Sequence, residues 1–269
     1  VPATFGTSLL FTIIIVSISL AGLVICRRWL LAAELKTQHD VADPLSQVVG
    51  MMFAVLLGFM VGDAMQRFST ARSTTQQEAA SLGDVFILAE GLPAANRDRI
   101  RKLCVDYAER VVKIEWPLLA RKQTSPEARE SYVLLAKECA TYNPITQGQS
   151  NVQQSLLPAI VSLGDCRRLR VEALNNSLAP TLWLVLLIGG AATILFTYFF
   201  GAGNFKIQML MVAIVSVVIC LNIFLLVAYD DPFTGDVMVY PTAFETDLAV
   251  FREQICATKN AQKGPEATK

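Results

Sequence analysis

Four long apolar runs divide a chain that is otherwise patterned for helices. Residues 5–26 form the first, closed by Arg27 and Arg28, and at ~1.5 Å per helical residue they reach across a hydrocarbon core of ~30 Å. This run reads as a membrane span, not a cleaved signal, because no basic segment precedes it and it exceeds the ~7–15 apolar residues of a signal core. The second run, 47–63, follows an amphipathic stretch in which Asp43-Pro44 predicts a helix start, aspartate as cap and proline at the first position. Pro180 introduces the third run, 181–200, and a connection of only six residues returns the chain as the fourth, 207–229. So short a turn makes the last two spans antiparallel neighbours.

Between the second and third runs the periodicity stays helical. Phe68, Thr75, Ala79, Leu82, Phe86 and Ala89 continue the stripe of the second span until Gly91-Leu92-Pro93, so this helix is expected to run several turns past the membrane. A helix over 96–116 follows, with Ile100, Leu103, Tyr107, Val111 and Ile114 inward, arginines outward, and Pro117 ending or kinking it. Ser125-Pro126-Glu127 opens another, carrying Tyr132, Leu135 and Cys139, and Asn143-Pro144 closes it. Residues 145–151 read as a loop. Leu156, Ile160, Leu163, Val171, Leu174 and Leu178 then mark a further helix, interrupted by Arg167, and an arginine on an apolar stripe needs a carboxylate partner or a route to water.

After the fourth span, Asp231-Pro232-Phe233-Thr234-Gly235 predicts a structural turn through Asp231, Pro232 and Gly235, with Asp-Pro as a local cap pair. Thr242 and Glu245 form a capping box for a last amphipathic helix bearing Phe244, Leu248, Phe251 and Ile255. The predicted fold is therefore an all-α membrane protein of four transmembrane helices with a helical soluble domain between the second and third spans. Its parts are a first transmembrane pair (5–63), a soluble insert (64–179), a second pair (180–229), the turn and amphipathic helix (230–258), and a polar, disordered tail (259–269).

The segment 47–68 is the one span whose faces differ chemically. Gly50, Ala54, Gly58 and Gly62 recur every fourth residue, a small stripe that lets another helix approach closely and is assigned to helix packing. The opposite face carries Met52, Leu56, Phe59, Met60, Asp63 and Arg67, greasy first and charged last, and these are the pore-lining candidates. Asp63 and Arg67 also form an i,i+4 pair that needs no function, worth ~0.2–0.5 kcal/mol. A ring of Asp63 alone favours cations, and an adjacent ring of Arg67 offsets it. Asn222, the amide of the fourth span, is assigned to hydrogen bonding across a helix interface.

Composition supports the membrane reading: 53% of the 269 residues are hydrophobic, 17% are charged and the mean hydropathy is +0.45. Lysine plus arginine equal aspartate plus glutamate at 23 each, so no global field recruits nucleic acid. Cys26, Cys104, Cys139, Cys166, Cys220 and Cys256 show no metal-ligand spacing and read as free thiols, which places the soluble part in a reducing compartment, the cytoplasm. Basic residues near the span ends do not choose a side. The single histidine, His39, falls in a short loop, and there is no phosphate cradle, HExxH or nucleophile elbow. No enzyme, metal or cofactor is expected.

The order of two spans, a helical insert, two more spans and the DPFTG turn resembles the bestrophin-like domain family over nearly the whole chain. Its specific pieces here are the glycine-rich second span running through Gly62-Asp63-Ala64 to Phe68, the Glu115-Trp116-Pro117 break, and Asp231 to Gly235 with the helix after it. The resemblance implies a distant likeness to bestrophins, pentameric anion channels whose second span lines the pore. It implies a homo-oligomeric channel for small inorganic ions in the plasma or inner membrane, anion-conducting or unselective. The aromatic constriction of bestrophins is matched only by Phe59, and no calcium clasp is evident. The alternative function is a non-conducting membrane scaffold or sensor whose soluble domain recruits a partner.

Overall fold

The computed structural model describes residues 3–29, 39–199 and 204–263, and among them every regular element is helical. The helices are α1 (Ala3–Trp29), α2 (His39–Leu88), α3 (Ala94–Arg110), α4 (Trp116–Leu119), α5 (Pro126–Thr141), α6 (Gln147–Glu172), α7 (Pro180–Tyr198), α8 (Phe205–Asp230) and α9 (Thr242–Lys263). A 3-10 turn, Ala89–Gly91, follows α2, and a π turn, Val111–Glu115, joins α3 to α4. Among the described residues four segments are long and apolar enough to cross a membrane: Gly6–Arg28, Ser46–Gly91, Pro180–Tyr198 and Phe205–Asp230. This is a multi-pass membrane protein. The chain divides into two compact units, one of Val1–Phe68, Ser177–Asp231 and Gly235–Val237, the other of Ser69–Asn176, Pro232–Thr234 and Met238–Lys269.

In the first unit α2 buries Phe53, Leu57, Met60 and Ala64 against Leu186 of α7, Ile219 and Leu226 of α8, and Leu178. Lipid is as apolar as these side chains, so van der Waals fit and close approach hold the helices together. Gly189 of α7 supplies the approach: a Cβ there would stand 2.7 Å from the Phe53 ring. α1 packs on α8 through Leu23 and Val212, beside Tyr198. The Tyr198 hydroxyl donates to the Ser19 carbonyl at 2.7 Å, and the Gln208 amide donates to the Tyr198 carbonyl at 3.1 Å. Outward faces remain greasy, as at Leu9, Ile18, Ile188 and Leu210.

The second unit has a conventional core in which removal of apolar surface from water drives packing, worth ~1.5–3 kcal/mol per fully buried large side chain. Leu82 and Phe86 of α2, Ile100 and Tyr107 of α3, Leu135 of α5, Leu156 and Leu163 of α6, and Phe244 and Phe251 of α9 meet there. The Phe86 and Phe251 rings stack at 4.0 Å.

Several expectations change. The helix carrying the second span already includes Asp43-Pro44, beginning at His39, so that pair does not open it and His39 is not in a loop. Residues 145–151 are mostly helix, because Thr146 caps α6 by accepting from the Gln149 N–H, and the Gln149 side chain accepts from the Ile145 N–H. Asp231-Pro232 opens no helix: Asp231 is instead the C-cap of α8, Val239 N–H bonds the Pro232 carbonyl at 2.8 Å, and Gly235 takes φ +85°, which favours glycine. The tail's first residues continue α9 to Lys263, and 264–269 lie outside the described residues.

Pro117 does not end its helix. Lacking an N–H, it cannot bond the carbonyl four residues back, and its ring crowds that carbonyl. The strain is absorbed upstream by the π turn, where the Trp116 N–H reaches the Val111 carbonyl, five residues back. The buried stripe continues from Val111 at i+4, not at i+3. Ile114, expected inward, is exposed, and Glu115 is fully buried in its place.

Candidate functional site

The second span presents three stripes. The packed stripe is Phe53, Leu57, Met60 and Ala64, so Met60, grouped by spacing with the pore-lining candidates, is instead 4% exposed in the span core. Leu56 is half-buried against that core. Met52 at 69%, Phe59 at 75% and the Asp63 side chain at 63% exposure stand clear of it. The small stripe is also open: Ala54, Gly58 and Gly62 are exposed, and a Cβ on Gly50, Gly58 or Gly62 would meet nothing within 4 Å. Among the described residues α2 therefore does not pack through its glycines. The small residues that permit close approach sit on the partner helix, where Gly189 and Gly190 of α7 receive Phe53. Among the described residues Asn222 donates to the Val218 carbonyl of its own turn at 2.9 Å and to no other helix.

At the end of this span Arg67 is a bridge. Its Nε lies 3.1 Å from Asp63 and its Nη2 lies 3.4 Å from Asp230 of α8, which also accepts the Leu178 N–H at 2.8 Å. The Arg67 side chain is only 22% exposed. Phe68 packs edge-on to Tyr229 one turn further on, with centroids 5.3 Å apart. The guanidinium is drawn toward α8, and the Asp63 carboxylate is left on the open face.

The second unit holds a buried charge cluster. Arg167 grips Glu115 with two bonds of 2.7 Å. Arg170 donates to Glu78 at 2.6 and 3.0 Å and to Glu115 at 2.8 Å. Tyr107 donates to Glu78, and the Arg170 guanidinium lies 5.4 Å from the Trp116 ring centroid. Burial alone would raise the Glu115 pKa, but the hydrogen bond from Arg167 and the charges of Arg170 and Arg167 hold it below the usual carboxylate range. Burial and the Glu78 charge push the Tyr107 hydroxyl well up, so it stays a donor. Two carboxylates and two guanidiniums balance, and the cluster ties α2, α3, the π turn and α6 together.

Only Arg167 was flagged in the sequence, with its need for a carboxylate. Arg170, three residues on and hence on the same face, doubles that need. Glu115 was hidden because a helical stripe can continue from Val111 at i+3 or i+4, and the apolar Ile114 at i+3 was preferred to the carboxylate at i+4. Among the described residues no group of three metal-ligating side chains occurs.

The bestrophin-like domain model matches residues 13–244. The chain belongs to the bestrophin-like domain family. Its fold is also that of solved bacterial bestrophin homologues. One variant of the Klebsiella pneumoniae bestrophin homologue is 17% identical, covers 91% of this chain and 98% of its own, and superposes with a TM-score of 0.64. A second variant is 16% identical, covering 91% and 97%, at 0.65. The homologue solved by zinc phasing is 17% identical, covering 93% and 97%, at 0.61. No curated protein matches the chain.

Proposed function

We propose that the protein is a homo-oligomeric ion channel, pentameric by its resemblance to bestrophins, in which α2 lines the conduit through Met52, Leu56, Phe59, Asp63 and Arg67. The observation that carries this reading is the open face of α2. A carboxylate in register with a span is costly against lipid and belongs beside water or another protein surface, and Asp63 is largely exposed on the single chain. Among the described residues nothing lies against Gly50, Gly58 or Gly62 of the glycine stripe next to it, which offers a neighbouring copy a close seat. Large apolar residues followed by a charged level have the layout of a constriction and its mouth. Purified protein should run as a closed oligomer with an axial opening and pass small ions when reconstituted in liposomes. Intact oligomers that pass no ion across a range of salts and pH values would overturn the channel.

The channel resides in the cell's inner or plasma membrane, with the helical unit in the cytoplasm. Cys256 reports this orientation, because it is exposed on the helical unit whereas Cys104 and Cys139 are buried. Burial also raises both buried thiols, Cys139 to about 12, and suppresses their thiolates. A membrane-impermeant maleimide should leave Cys256 unlabelled in intact cells and label it after permeabilisation. Labelling in intact cells would place the helical unit outside.

A further inference from the structure

We infer that the end of the α1 and α8 pair remote from Asp230 is a binding site for the headgroup of an anionic phospholipid. α1 ends on Arg27 and Arg28, and α8 begins with Phe205 and Lys206. The two helices pack in opposite directions, Leu23 beside Val212 and Cys26 near Phe205, so the three cations gather at one level. The Arg27 guanidinium lies 4.7 Å from the Phe205 ring centroid, a cation–π contact that ties the two helix ends together. Arg27, Arg28 and Lys206 are all exposed, and among the described residues none of them has a hydrogen bond from its side chain or an ion pair. α1 holds no carboxylate, and the single one of α8 is Asp230, at its far end. There the chain answers its own cation, since Asp63 and Asp230 both meet Arg67. At the near end the positive pole of the α8 dipole adds to three cations that the two helices do not answer.

The order of side chains along the two helices selects a lipid over a free anion. Next to the cations, toward the middle of the spans, α1 exposes Val24 and Ile25 and α8 exposes Ile207 and Leu210. Charge at the span ends followed by open apolar surface is the order of a phospholipid, phosphate first and acyl chains after it. A free phosphate would use only the first part and would compete with water for each solvated side chain. Stacking on Phe205 holds the flat of the Arg27 guanidinium and leaves its N–H edges to donate to phosphate oxygens. Each basic residue near a charged headgroup layer strengthens binding about fivefold, the equivalent of ~1 kcal/mol. Salt screens that attraction, because the Debye length falls from about 10 Å at 0.1 M to about 3 Å at 1 M.

The test is thermal unfolding of the detergent-solubilised protein titrated with dioleoyl phosphatidylglycerol or with dioleoyl phosphatidylcholine, which differ in headgroup charge and share their chains. Phosphatidylglycerol should raise the unfolding temperature at mole fractions where phosphatidylcholine does not, and 1 M salt should weaken the difference. Lys206→Gln and Arg27→Gln should each raise the mole fraction for half the effect about fivefold, whereas Arg27→Lys, which keeps the charge, should stay within about twofold of the wild type. Lys206 is exposed, so its variant keeps the test intact if Arg27→Gln fails to fold. Arg168→Gln removes a charge from the helical unit, where that side chain is 80% exposed, and should leave the lipid effect unchanged. Equal stabilisation by the two lipids, an unshifted titration in Lys206→Gln, or an equal shift in Arg168→Gln overturns the inference. Stabilisation by inorganic phosphate equal to that by phosphatidylglycerol also overturns it, assigning the cations to a free anion.

Discussion

Arg170→Met should destabilise the helical unit by ~3–5 kcal/mol, the cost of leaving one member of a buried ion pair without its partner. The substitution removes the bonds that Arg170 makes to Glu78 and Glu115 and leaves two buried carboxylates facing Arg167 alone. Since domains hold together by ~5–15 kcal/mol in all, this loss is a large share. Denaturant unfolding of detergent-solubilised protein measures it. Adding Glu78→Gln restores the balance, because the Glu115 and Arg167 pair stays intact, and should return a substantial part of the loss as coupling energy. A single-variant loss below ~1 kcal/mol, the size of a surface ion pair, would show that the cluster is not the clasp described. Acid adds a second readout. The folded pKa of Glu115 is depressed, so its contribution is present above its unfolded value of ~4.3 and lost as pH falls through the folded value. Glu115→Gln should flatten that acid limb.

The cluster also marks where sequence reasoning stops. Span number, the length of α2 and the helical insert were legible because each rests on a local regularity: apolar length, a repeating stripe, a proline or glycine at an end. Glu115 was not legible, because i+3 and i+4 both continue a helical stripe from Val111 and the apolar Ile114 masked the charged residue beside it. The start of α6 was missed for a smaller reason, a Thr146 and Gln149 capping pair set in a polar run that reads as loop. Spacing alone groups Asp63 and Arg67 on one face. Which of them the face presents depends on Asp230, more than 160 residues away in sequence.

The packing face of α2 shows the same limit in the membrane. A glycine stripe predicts that something approaches closely, but it does not identify the occupant. Within the chain, the close approach is made at Gly189 and Gly190 of α7 by Phe53. Among the described residues nothing occupies Gly58 and Gly62, and Met60 lies in the span core, not with the open-face residues. The aliphatic constriction expected from the sequence is thereby narrowed. Leu56 lends part of its side chain, and Phe59 is the one large ring that the span holds clear of its own core.

Phe59→Ala should therefore raise ion flux in liposomes about tenfold, the equivalent of ~1.4 kcal/mol off the barrier. A ring of phenyl groups narrows a pore and favours its drying, so truncation widens the passage and lets water and ions through together. Leu56→Ala should raise flux less, since much of that side chain is spent on the span core. Leu57→Ala is the control one residue further along: it is buried against α7 and α8, so it should cost ~2–5 kcal/mol of stability. It should do so without increasing flux per folded oligomer. Phe59 is exposed on the single chain, so its truncation should move the chain's own stability by only ~0.5 kcal/mol. The two readouts separate cleanly. Unchanged flux in Phe59→Ala oligomers of normal size would place the constriction elsewhere, whereas a broken oligomer would assign Phe59 to the contact between copies.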